Sequence, residues 1–369
     1  MELTKINTVI VGAGVVGMAL ARELALRGDE VVVLEAESTI GSVISARNSG
    51  VIHAGLYYKP GSLKARFCVE GRDMLYAYSK QAGFWTQNCG KLVVATSKDE
   101  IADLHALKLN AETNGVRDMR LLSSSEAREM EPQLVCAEAL HVPVSGMIDV
   151  HGLLNALWGD ADNHGAMLQT NSKLVSAEIL PSGEFLLTIE GPQDATYNIQ
   201  CARLINCAGL SAQKVAAALQ GYNQTLIPEQ VLGKGNYFCL QGAPVPFSRL
   251  IYPLPTPGTL GLHYHSDINN RAVFGPDLEI VDTIDYRVNP ARLDFFFESI
   301  RKYWPTIKKE NLVPDYTGIR PKLKGHNDFI IQTEAEHHIP GLIQCYGIES
   351  PGVTSCLALG KFIADCLKA

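Results

Sequence analysis

The N-terminal segment alternates short apolar runs with one amphipathic stretch. Residues 7–11 and 31–34 are apolar runs, and between them residues 15–27 carry apolar side chains at every third or fourth position, the spacing of one helix face. Gly28 stands where the C-terminal cap of that helix is expected. A strand, a helix and a second strand within about 30 residues are typical of a βαβ unit. We therefore predict that the chain opens with one.

The middle of the chain has a different pattern. Apolar runs at 91–95, 185–189 and 237–240 are separated by polar or Pro/Gly-rich stretches, which predicts strands joined by turns. Helical spacing recurs at 99–114 and 292–303, and neither segment carries a nucleotide-binding motif. We expect an antiparallel sheet with helices there, in a lobe that binds substrate.

Two later apolar runs, 204–210 and 342–347, end at or near a glycine, as buried strands do where they lead into turns. We expect both to return to the first sheet, which makes the nucleotide-binding lobe discontinuous in sequence. The predicted fold class is α/β, a Rossmann-like domain, with an α+β second lobe built on an antiparallel sheet. The predicted boundaries are 1–85, 148–220 and 315–369 for the nucleotide-binding domain, and 86–147 and 221–314 for the substrate-binding domain.

The turn after the first strand has the spacing of a dinucleotide-binding fingerprint. In VIVGAGVVG, Gly12 permits a tight turn, Gly14 lets the backbone approach a pyrophosphate, and Gly17 lets helix and strand pack closely. Val15 begins the helix whose N-terminus faces the anion. Glu35 ends the second strand, where a carboxylate binds ribose hydroxyls and repels the 2′-phosphate of NADP. FAD and NAD share the adenosine diphosphate that this turn recognises, so the fingerprint does not separate them.

Length, composition and charge narrow the class of protein. The 369 residues exceed the length of about 250 to 300 residues at which single cores stop growing, so two lobes are expected. A hydrophobic fraction of 46% and a charged fraction of 19% are those of a globular protein with a large core. The net charge of −7 argues against nucleic acid or anionic lipid as a partner. Small molecules are the expected partners.

Cysteine and histidine usage indicates neither a disulfide scaffold nor a metal centre. The nine cysteines show no CxxC spacing, and an odd number of this kind fits a reducing, cytoplasmic location. No run of 18 apolar residues would span a bilayer, while peripheral association with the inner face of the membrane stays open. His263 and His265, and likewise His337 and His338, lack further ligands at metal spacing, so no metal is predicted. The second pair lies in a polar stretch and is expected to be solvated.

A long segment resembles one protein family. Residues 47–71, RNSGVIHAGLYYKPGSLKARFCVEG, are similar to the flavin-facing segment of the L-2-hydroxyglutarate dehydrogenase/oxidase family, within the D-amino-acid-oxidase-like superfamily. The resemblance implies FAD as cofactor and oxidation of a 2-hydroxy acid, L-2-hydroxyglutarate to 2-oxoglutarate, by hydride transfer from C2 to flavin N5. It continues in CGKLVVAT (89–96), SGMIDVHGL (145–153), INCAGL (205–210), LIYPLP (250–255), GLH (261–263), FGPD (274–277) and GIESPGVTSCLALG (347–360).

The expected cofactor contacts follow from these segments. Asn48, Ser49 and Gly50 have small or polar side chains in a turn, as needed beside the flavin's pyrimidine or ribityl side. Arg47 is expected either to neutralise pyrophosphate charge or to be solvated. Val175 is a candidate backbone contact to adenine. The remaining candidates are Ala208 and Gly209 in INCAGL, and Gly347, Ser350, Gly352, Val353 and Thr354 where a strand leads into a helix whose N–H groups face the flavin N1/C2=O locus.

Four residues are candidates for the chemistry on the substrate. His53 would take the hydroxyl proton, with His263 as the rival base and Tyr252 as a hydrogen-bond donor. Arg320 lies in GIRP, similar to the GLRP-type stretch of glycine and D-amino-acid oxidases in which the arginine holds the substrate carboxylate. Each has a structural alternative. His53 could be a histidine packed in a turn, Tyr252 a core aromatic residue, and Arg320 a member of a structural ion pair.

Other functions stay open. An arginine beside a flavin serves an amine or amino-acid oxidase equally well, and HAGLYY is also similar to a segment of FAD-linked glycerol-3-phosphate dehydrogenases. A non-catalytic nucleotide-binding module is a third possibility. No second GxGxxG that would bind NAD(P)H follows the first, so oxygen, a quinone or a carrier protein is expected to accept the electrons.

Overall fold

The computed structural model describes residues 4–255 and 261–367, and the chain forms two compact units. Unit 1 comprises Met1–Ala46, Val150–Val231 and Pro321–Ala369, and unit 2 comprises Arg47–Asp149 and Leu232–Arg320.

The described residues form nine α-helices and 21 strands. The helices are α1 (Val15–Leu26), α2 (Leu63–Ala82), α3 (Ile101–Thr113), α4 (Ser124–Met130), α5 (Val150–Asn163), α6 (Ala212–Ala217), α7 (Leu293–Ile300), α8 (Glu334–His337) and α9 (Gly352–Cys366). The strands are β1 (Thr4–Val11), β2 (Val31–Leu34), β3 (Val51–Ile52), β4 (Thr86–Gln87), β5 (Lys91–Ala95), β6 (Arg120–Ser123), β7 (Glu138–Val142), β8 (Gly146–Ile148), β9 (Met167–Gln169), β10 (Lys173–Ile179), β11 (Phe185–Glu190), β12 (Thr196–Asn206), β13 (Leu219–Gln220), β14 (Gln230–Leu240), β15 (Leu250–Pro253), β16 (Tyr264–Ser266), β17 (Ala272–Phe274), β18 (Glu279–Val281), β19 (Leu312–Leu323), β20 (Ile330–Gln332) and β21 (Leu342–Tyr346).

Unit 1 is built on a mainly parallel sheet. Its central strands run in the order β9-β2-β1-β12-β21, all parallel. The antiparallel pair β10 and β11 extends the sheet through the first half of β12. The predicted βαβ start is confirmed, and so is the return of the runs at 204–210 and 342–347 to the first sheet. All four residues of β2 are buried, as expected for a parallel strand covered on both faces.

Helix α1 joins the sheet to the C-terminal helix of the same unit. It packs against α5 and α9. A Cβ atom at Gly360 of α9 would lie 2.8 Å from the carbonyl carbon of Ala19 in α1, so the two helices touch at the level of their backbones.

Unit 2 contains a second large sheet, ordered β18-β14-β17-β16-β15-β5-β7-β6, with β19 beside β14. The predicted antiparallel arrangement is confirmed except between β5 and β15, which run parallel. Because side chains alternate along a strand, the register assigns each residue to a face. The apolar face carries Leu92, Phe238, Ile251, Tyr264 and Phe274, which share one hydrophobic core. The other face carries Lys91, Tyr237, Tyr252 and His265 beside apolar residues of two further hydrophobic clusters, and we call it the polar face.

The segment at 47–85, predicted to belong to the nucleotide-binding lobe, makes its contacts within unit 2. Strand β3 pairs with β8, and the Arg72 guanidinium of α2 donates to the carbonyl of Ala54. The Tyr76 hydroxyl donates to the carbonyl of Val144. Strand β8 and Val144 lie far from this segment in sequence, which explains why local patterns did not indicate them.

The expectation that both histidines of the 337–338 pair are solvated is wrong for His337. Its side chain ends α8 and is only 8% exposed. The ring packs edge-on to Tyr222 with centroids 5.9 Å apart, and its Nδ1 accepts a hydrogen bond from the backbone N–H of Ile339. A capping box between Thr333 and Glu336 begins the short helix and turns this histidine inward.

Candidate functional site

The glycine turn of unit 1 is closed by backbone contacts at two of its three glycines. Gly12 has a φ of +104°, and a Cβ there would lie 2.6 Å from the carbonyl oxygen of Cys207. A Cβ at Gly17 would overlap the carbonyl oxygen of Gly12. Gly14 differs, since its Cβ would meet only the Ser45 hydroxyl, at 3.3 Å. The space beside Gly14 is thus free of backbone, as the approach of a pyrophosphate requires.

Two side chains hold the turn from outside. The Glu35 carboxylate accepts hydrogen bonds from the backbone N–H groups of Ala13, at 2.7 Å, and Glu37, at 2.9 Å. The Ser45 hydroxyl accepts from the N–H of Val15, at 3.1 Å. A carboxylate accepts more than one hydrogen bond per oxygen, so Glu35 keeps capacity for a ribose hydroxyl while it fixes the turn.

The predicted residues of INCAGL lie beside this turn. The N–H of Ala208 donates to the side chain of Asn206. Asn206 is fully buried, and its amide donates to Gln344 of β21 at 2.6 Å. Gly209 has a φ of +56°, and a Cβ there would come within 3.0 Å of Ile44. The structure therefore brings Gly12, Gly14, Val15, Gly17, Glu35, Ala208 and Gly209 together at the carboxyl ends of β1, β2 and β12.

Val175 and the start of α9 occupy other places in unit 1. The register of β10 shifts between Leu174 and Ser176, so Val175 lies at a bulge, with its side chain 39% exposed. A bulge frees backbone groups from the ladder, as a contact to adenine needs.

Gly347 has a φ of +69° and precedes the cap residue Pro351 of α9. Near it, Glu349 forms an ion pair with Lys322 at 2.9 Å. The other predicted residues here, Ser350, Gly352, Val353 and Thr354, form the last residues of the loop and the first turn of α9.

On the polar face of unit 2, Tyr252 is the centre of a stacked group. The His263 ring lies parallel to the Tyr252 ring, with centroids 3.6 Å apart. The Lys91 ammonium lies 3.7 Å from the same centroid. Tyr252 is buried, and burial raises the pKa of its hydroxyl well above the usual value. Tyr252 is therefore neutral and acts only as a hydrogen-bonding group.

Arg320 belongs to a second group on the same face. One guanidinium nitrogen donates to the carbonyl of Asp277 at 3.3 Å, and a Cβ at Gly235 would lie 2.9 Å from another. Burial raises the pKa of Tyr237, and the Arg320 charge opposes that shift. A guanidinium has five N–H donors, so the bond to Asp277 orients Arg320 and leaves donors for a carboxylate.

The predicted turn of Arg47, Asn48, Ser49 and Gly50 packs on this second group. Ser49 and Tyr237 share a hydrogen bond between their hydroxyls, at 3.1 Å. Tyr237 stacks on Tyr316, and the Tyr316 hydroxyl donates to the carbonyl of Asn48 at 2.8 Å. The Arg47 guanidinium lies 4.1 Å from the centre of the Tyr286 ring. Arg47 is therefore a packed side chain rather than a solvated one.

His53 follows β3 and is held by its neighbours in α2. Cys68 donates to the His53 carbonyl at 3.5 Å. Burial, with a further contribution from the charge of Lys91, lowers the pKa of His53 to about 3. The imidazole is thus unprotonated at neutral pH, the form that a general base needs.

Sequence reasoning missed Lys91, Tyr237, Tyr316 and Asp277. Lys91 and Tyr237 begin predicted apolar runs, and only the pairing register of the strands shows that both lie on one face. Asp277 ends the FGPD segment, which the sequence indicates only as part of the resemblance. Tyr316 shares a strand face with Arg320, four residues away.

The part of the chain that the structure describes contains neither a metal-binding cluster nor a membrane-spanning helix. No group of three or more His, Cys, Asp or Glu side chains among residues 4–255 and 261–367 could hold a metal ion. Within the same ranges, no helix is long and apolar enough to cross a membrane.

Comparison with known proteins shows consistent similarities. Residues 7–366 match the sequence profile of the DAO family, described as FAD dependent oxidoreductase. The chain is 40% identical to the mitochondrial L-2-hydroxyglutarate dehydrogenase of Arabidopsis thaliana, over 98% of this chain and 83% of that protein. The fold is similar to that of L-alpha-glycerophosphate oxidase from Mycoplasma pneumoniae with FAD bound, with a TM-score of 0.89, 24% identity, and coverage of 100% and 96%. It is also similar to glycine oxidase from Geobacillus kaustophilus, with a TM-score of 0.83, 21% identity, and coverage of 99% and 95%.

Proposed function

Since this chain belongs to the DAO family of FAD-dependent oxidoreductases, we propose that it oxidises a 2-hydroxy acid, L-2-hydroxyglutarate, to the corresponding 2-oxo acid. The observation that carries the proposal is the polar face of unit 2, where a stacked tyrosine and histidine and an oriented arginine share one side of a sheet. The name of the Arabidopsis thaliana relative supports the choice of substrate.

Unit 1 supplies the groups that fit the adenosine diphosphate half of FAD. The open side of Gly14 admits the pyrophosphate, Glu35 takes the ribose hydroxyls, and the Val175 bulge offers backbone to adenine. When bound, FAD supplies the hydride acceptor, ring atom N5. The protein's own residues bind the substrate, orient it and take its proton.

Three residues of unit 2 have roles on the substrate. Arg320 binds the 2-carboxylate through two of its remaining N–H donors. His53, unprotonated at neutral pH, takes the hydroxyl proton as C2 loses its hydride. Tyr252 donates a hydrogen bond, and its stacking with His263 fixes the plane of both rings. Holding the C2–H bond in one orientation supplies much of the rate acceleration.

Anaerobic reduction of the flavin tests the proposal without knowledge of the electron acceptor. Purified holoenzyme is mixed with a panel of 2-hydroxy acids, 2-amino acids and glycerol 3-phosphate, and the absorbance near 450 nm is followed. We expect L-2-hydroxyglutarate to bleach the flavin fastest, because Arg320 fits a carboxylate beside the reacting carbon.

The other outcomes separate the alternative functions. Bleaching by glycine, sarcosine or D-amino acids without bleaching by hydroxy acids would identify an amine oxidase. Bleaching by glycerol 3-phosphate alone would identify a glycerophosphate-type enzyme. Protein that binds no flavin after reconstitution with FAD would point to a nucleotide-binding module. Oxygen, a quinone analogue and a carrier protein are then compared as oxidants of the reduced enzyme.

Replacing Arg320 by methionine tests the carboxylate site. We expect Arg320→Met to retain flavin but to lose on the order of 3 kcal/mol of transition-state binding, about 150-fold in kcat/KM, because a bidentate charge pair is lost. Steady-state kinetics on the identified substrate measures this. The control is Arg271→Met, whose guanidinium is half exposed and pairs with Asp267 and Asp315. Equal kinetics for Arg320→Met and Arg271→Met would remove Arg320 from the site.

A further inference from the structure

The chain segment that begins with His53 is neither helix nor strand. Residues 53–58 follow the two-residue strand β3 and precede α2. The segment nevertheless runs through the interior of unit 2, since Ala54 and Leu56 are each only 1% exposed. Buried carbonyl groups that belong to no helix or sheet must accept hydrogen bonds from other donors. The donors therefore decide how firmly the backbone around His53 is held.

Two side chains of α2 hold the start of the segment. The Cys68 thiol donates to the carbonyl of His53 at 3.5 Å, and the Arg72 guanidinium donates to the carbonyl of Ala54 at 3.2 Å. Both side chains are buried. They stand four residues apart, so they lie on the same side of the helix. One face of α2 thus fixes the first two carbonyl groups.

Two asparagines at the end of α3 hold the rest of the segment. The Asn110 amide donates to the carbonyls of Leu56, at 2.7 Å, and Tyr58, at 3.1 Å. The Asn114 amide donates to the carbonyls of Gly55, at 3.0 Å, and Tyr58, at 2.9 Å. An amide nitrogen has two N–H donors, and each asparagine uses both on this segment. The two amides therefore act together as a clamp on residues 55–58.

Packing leaves the clamped segment little room to shift. Gly55 has a φ of +107°, and a Cβ there would lie 2.9 Å from Val69 of α2 and 3.6 Å from Val116, which follows α3. Ala54 and Leu56 belong to the same hydrophobic cluster as the buried residues of α3. The segment is thus enclosed by α2 on one side and by the end of α3 on the other.

We propose that Asn110 and Asn114 are positioning residues for the reaction, because their amides hold the 53–58 segment so that His53 meets the substrate hydroxyl in one orientation. Their effect reaches the imidazole through the backbone, since their hydrogen bonds are to carbonyl groups two or more residues beyond His53. A misplacement of about 1 Å in a reacting group can cost about 10²-fold in rate. The inference rests on the proposed function, in which His53 is the base.

Replacing Asn114 by alanine removes two of the four amide hydrogen bonds. In anaerobic stopped-flow experiments with the substrate that bleaches the flavin, we expect the limiting rate of reduction to fall roughly tenfold to a hundredfold. The dissociation constant of the substrate should change by less than about twofold, because Arg320 holds the 2-carboxylate. A loss confined to substrate affinity, or no loss at all, overturns the proposal.

A double-mutant cycle with His53→Gln separates positioning of the base from a general structural role. If Asn114 acts through His53, adding Asn114→Ala to His53→Gln should slow flavin reduction by less than about twofold further, because the group that it positions is already gone. A structural defect would slow both backgrounds by the same factor. Equal factors in the wild-type and His53→Gln backgrounds therefore overturn the proposal.

Amide hydrogen exchange tests the clamp without any substrate. Peptides that cover residues 53–58 should exchange faster in Asn114→Ala than in the wild type, because the segment opens more often. The matched control is Asn311→Ala, whose amide donates to a backbone carbonyl elsewhere in unit 2, that of Gln241 at 2.7 Å. The control should keep both the wild-type exchange of 53–58 and the wild-type rate. Unchanged exchange in Asn114→Ala overturns the clamp.

A second variant and the wild type complete the test. Asn110→Ala removes the other amide and carries the same expectations, so it decides if Asn114→Ala does not fold. Failure of the proposed function shows already in the wild type, when no hydroxy acid bleaches the flavin. Failure of the present inference shows instead as wild-type bleaching that is equally fast in the asparagine variants.

Discussion

Alanine at Gly17 is expected to destabilise the protein by more than about 4 kcal/mol, a loss that few single substitutions cause. The new methyl group would overlap the carbonyl oxygen of Gly12, a backbone atom of the turn between β1 and α1 that has no flexible side chain to give way. Relief requires α1 to move away from β1, although α1 also packs against α5 and α9. Chemical denaturation monitored by circular dichroism measures the free energy of unfolding.

Two further glycines separate this steric effect from cofactor binding. Gly159 lies inside α5 with no atom near its Cβ position, so Gly159→Ala should be neutral or stabilise by up to about 1 kcal/mol. Gly14→Ala should fold, since its Cβ meets only a hydroxyl, yet should bind FAD less tightly because the methyl group occupies the pyrophosphate side. Wild-type stability in Gly17→Ala, or wild-type flavin retention in Gly14→Ala, would contradict this account of the turn.

Glutamine at His53 is expected to slow flavin reduction by the substrate by about 10²- to 10⁴-fold, the contribution of a general base. Glutamine keeps the approximate size and a hydrogen-bonding end but does not accept a proton. His263→Gln should lose less, roughly tenfold or under, because His263 stacks on Tyr252 rather than carrying the proton. Anaerobic stopped-flow measurement of the reductive step reports both rates without interference from reoxidation.

The relative rate losses in His53→Gln and His263→Gln show which histidine is the base. His164→Gln, at an exposed position bonded to the carbonyl of Asp160, serves as the control and should react at the wild-type rate. A larger loss for His263→Gln than for His53→Gln would reverse the assignment of the base. Equal, small losses in both would mean that neither histidine takes the proton, and would favour an amine substrate that binds in its neutral form.

Local sequence patterns predicted the first unit well. The βαβ start and the two returning strands have strong periodicity, and Gly12 and Gly17 of the turn stand where a Cβ would meet backbone atoms. The antiparallel sheet of the second unit was also expected. The parallel pair β5 and β15 was not, because strand neighbours far apart in sequence leave no local trace.

The candidate site was predicted in part. His53, Tyr252, His263 and Arg320 were named from the sequence, and the structure assigns all of them to unit 2. Lys91 was overlooked because a lysine beside an apolar run is usually solvated, and only the register between β5, β7 and β15 shows that it points into a covered face. The partners of Arg320 were overlooked for the same reason, since Gly235 and Asp277 reach it through tertiary contacts.

The two-sided sheet of unit 2 has a consequence for altering substrate preference by directed evolution. Both faces of the sheet are packed, but the side chains proposed for the chemistry lie on one face only, at every second position of the strands, so a library should randomise every second codon. Positions 93, 237, 252 and 265 vary the polar face, while 92, 238, 251 and 264 maintain the core. A one-residue deletion in β5 would exchange the two sets at once and turn Lys91 into the aromatic core. Insertions and deletions in these strands should therefore be rare among active clones, whereas paired substitutions on one side should be common.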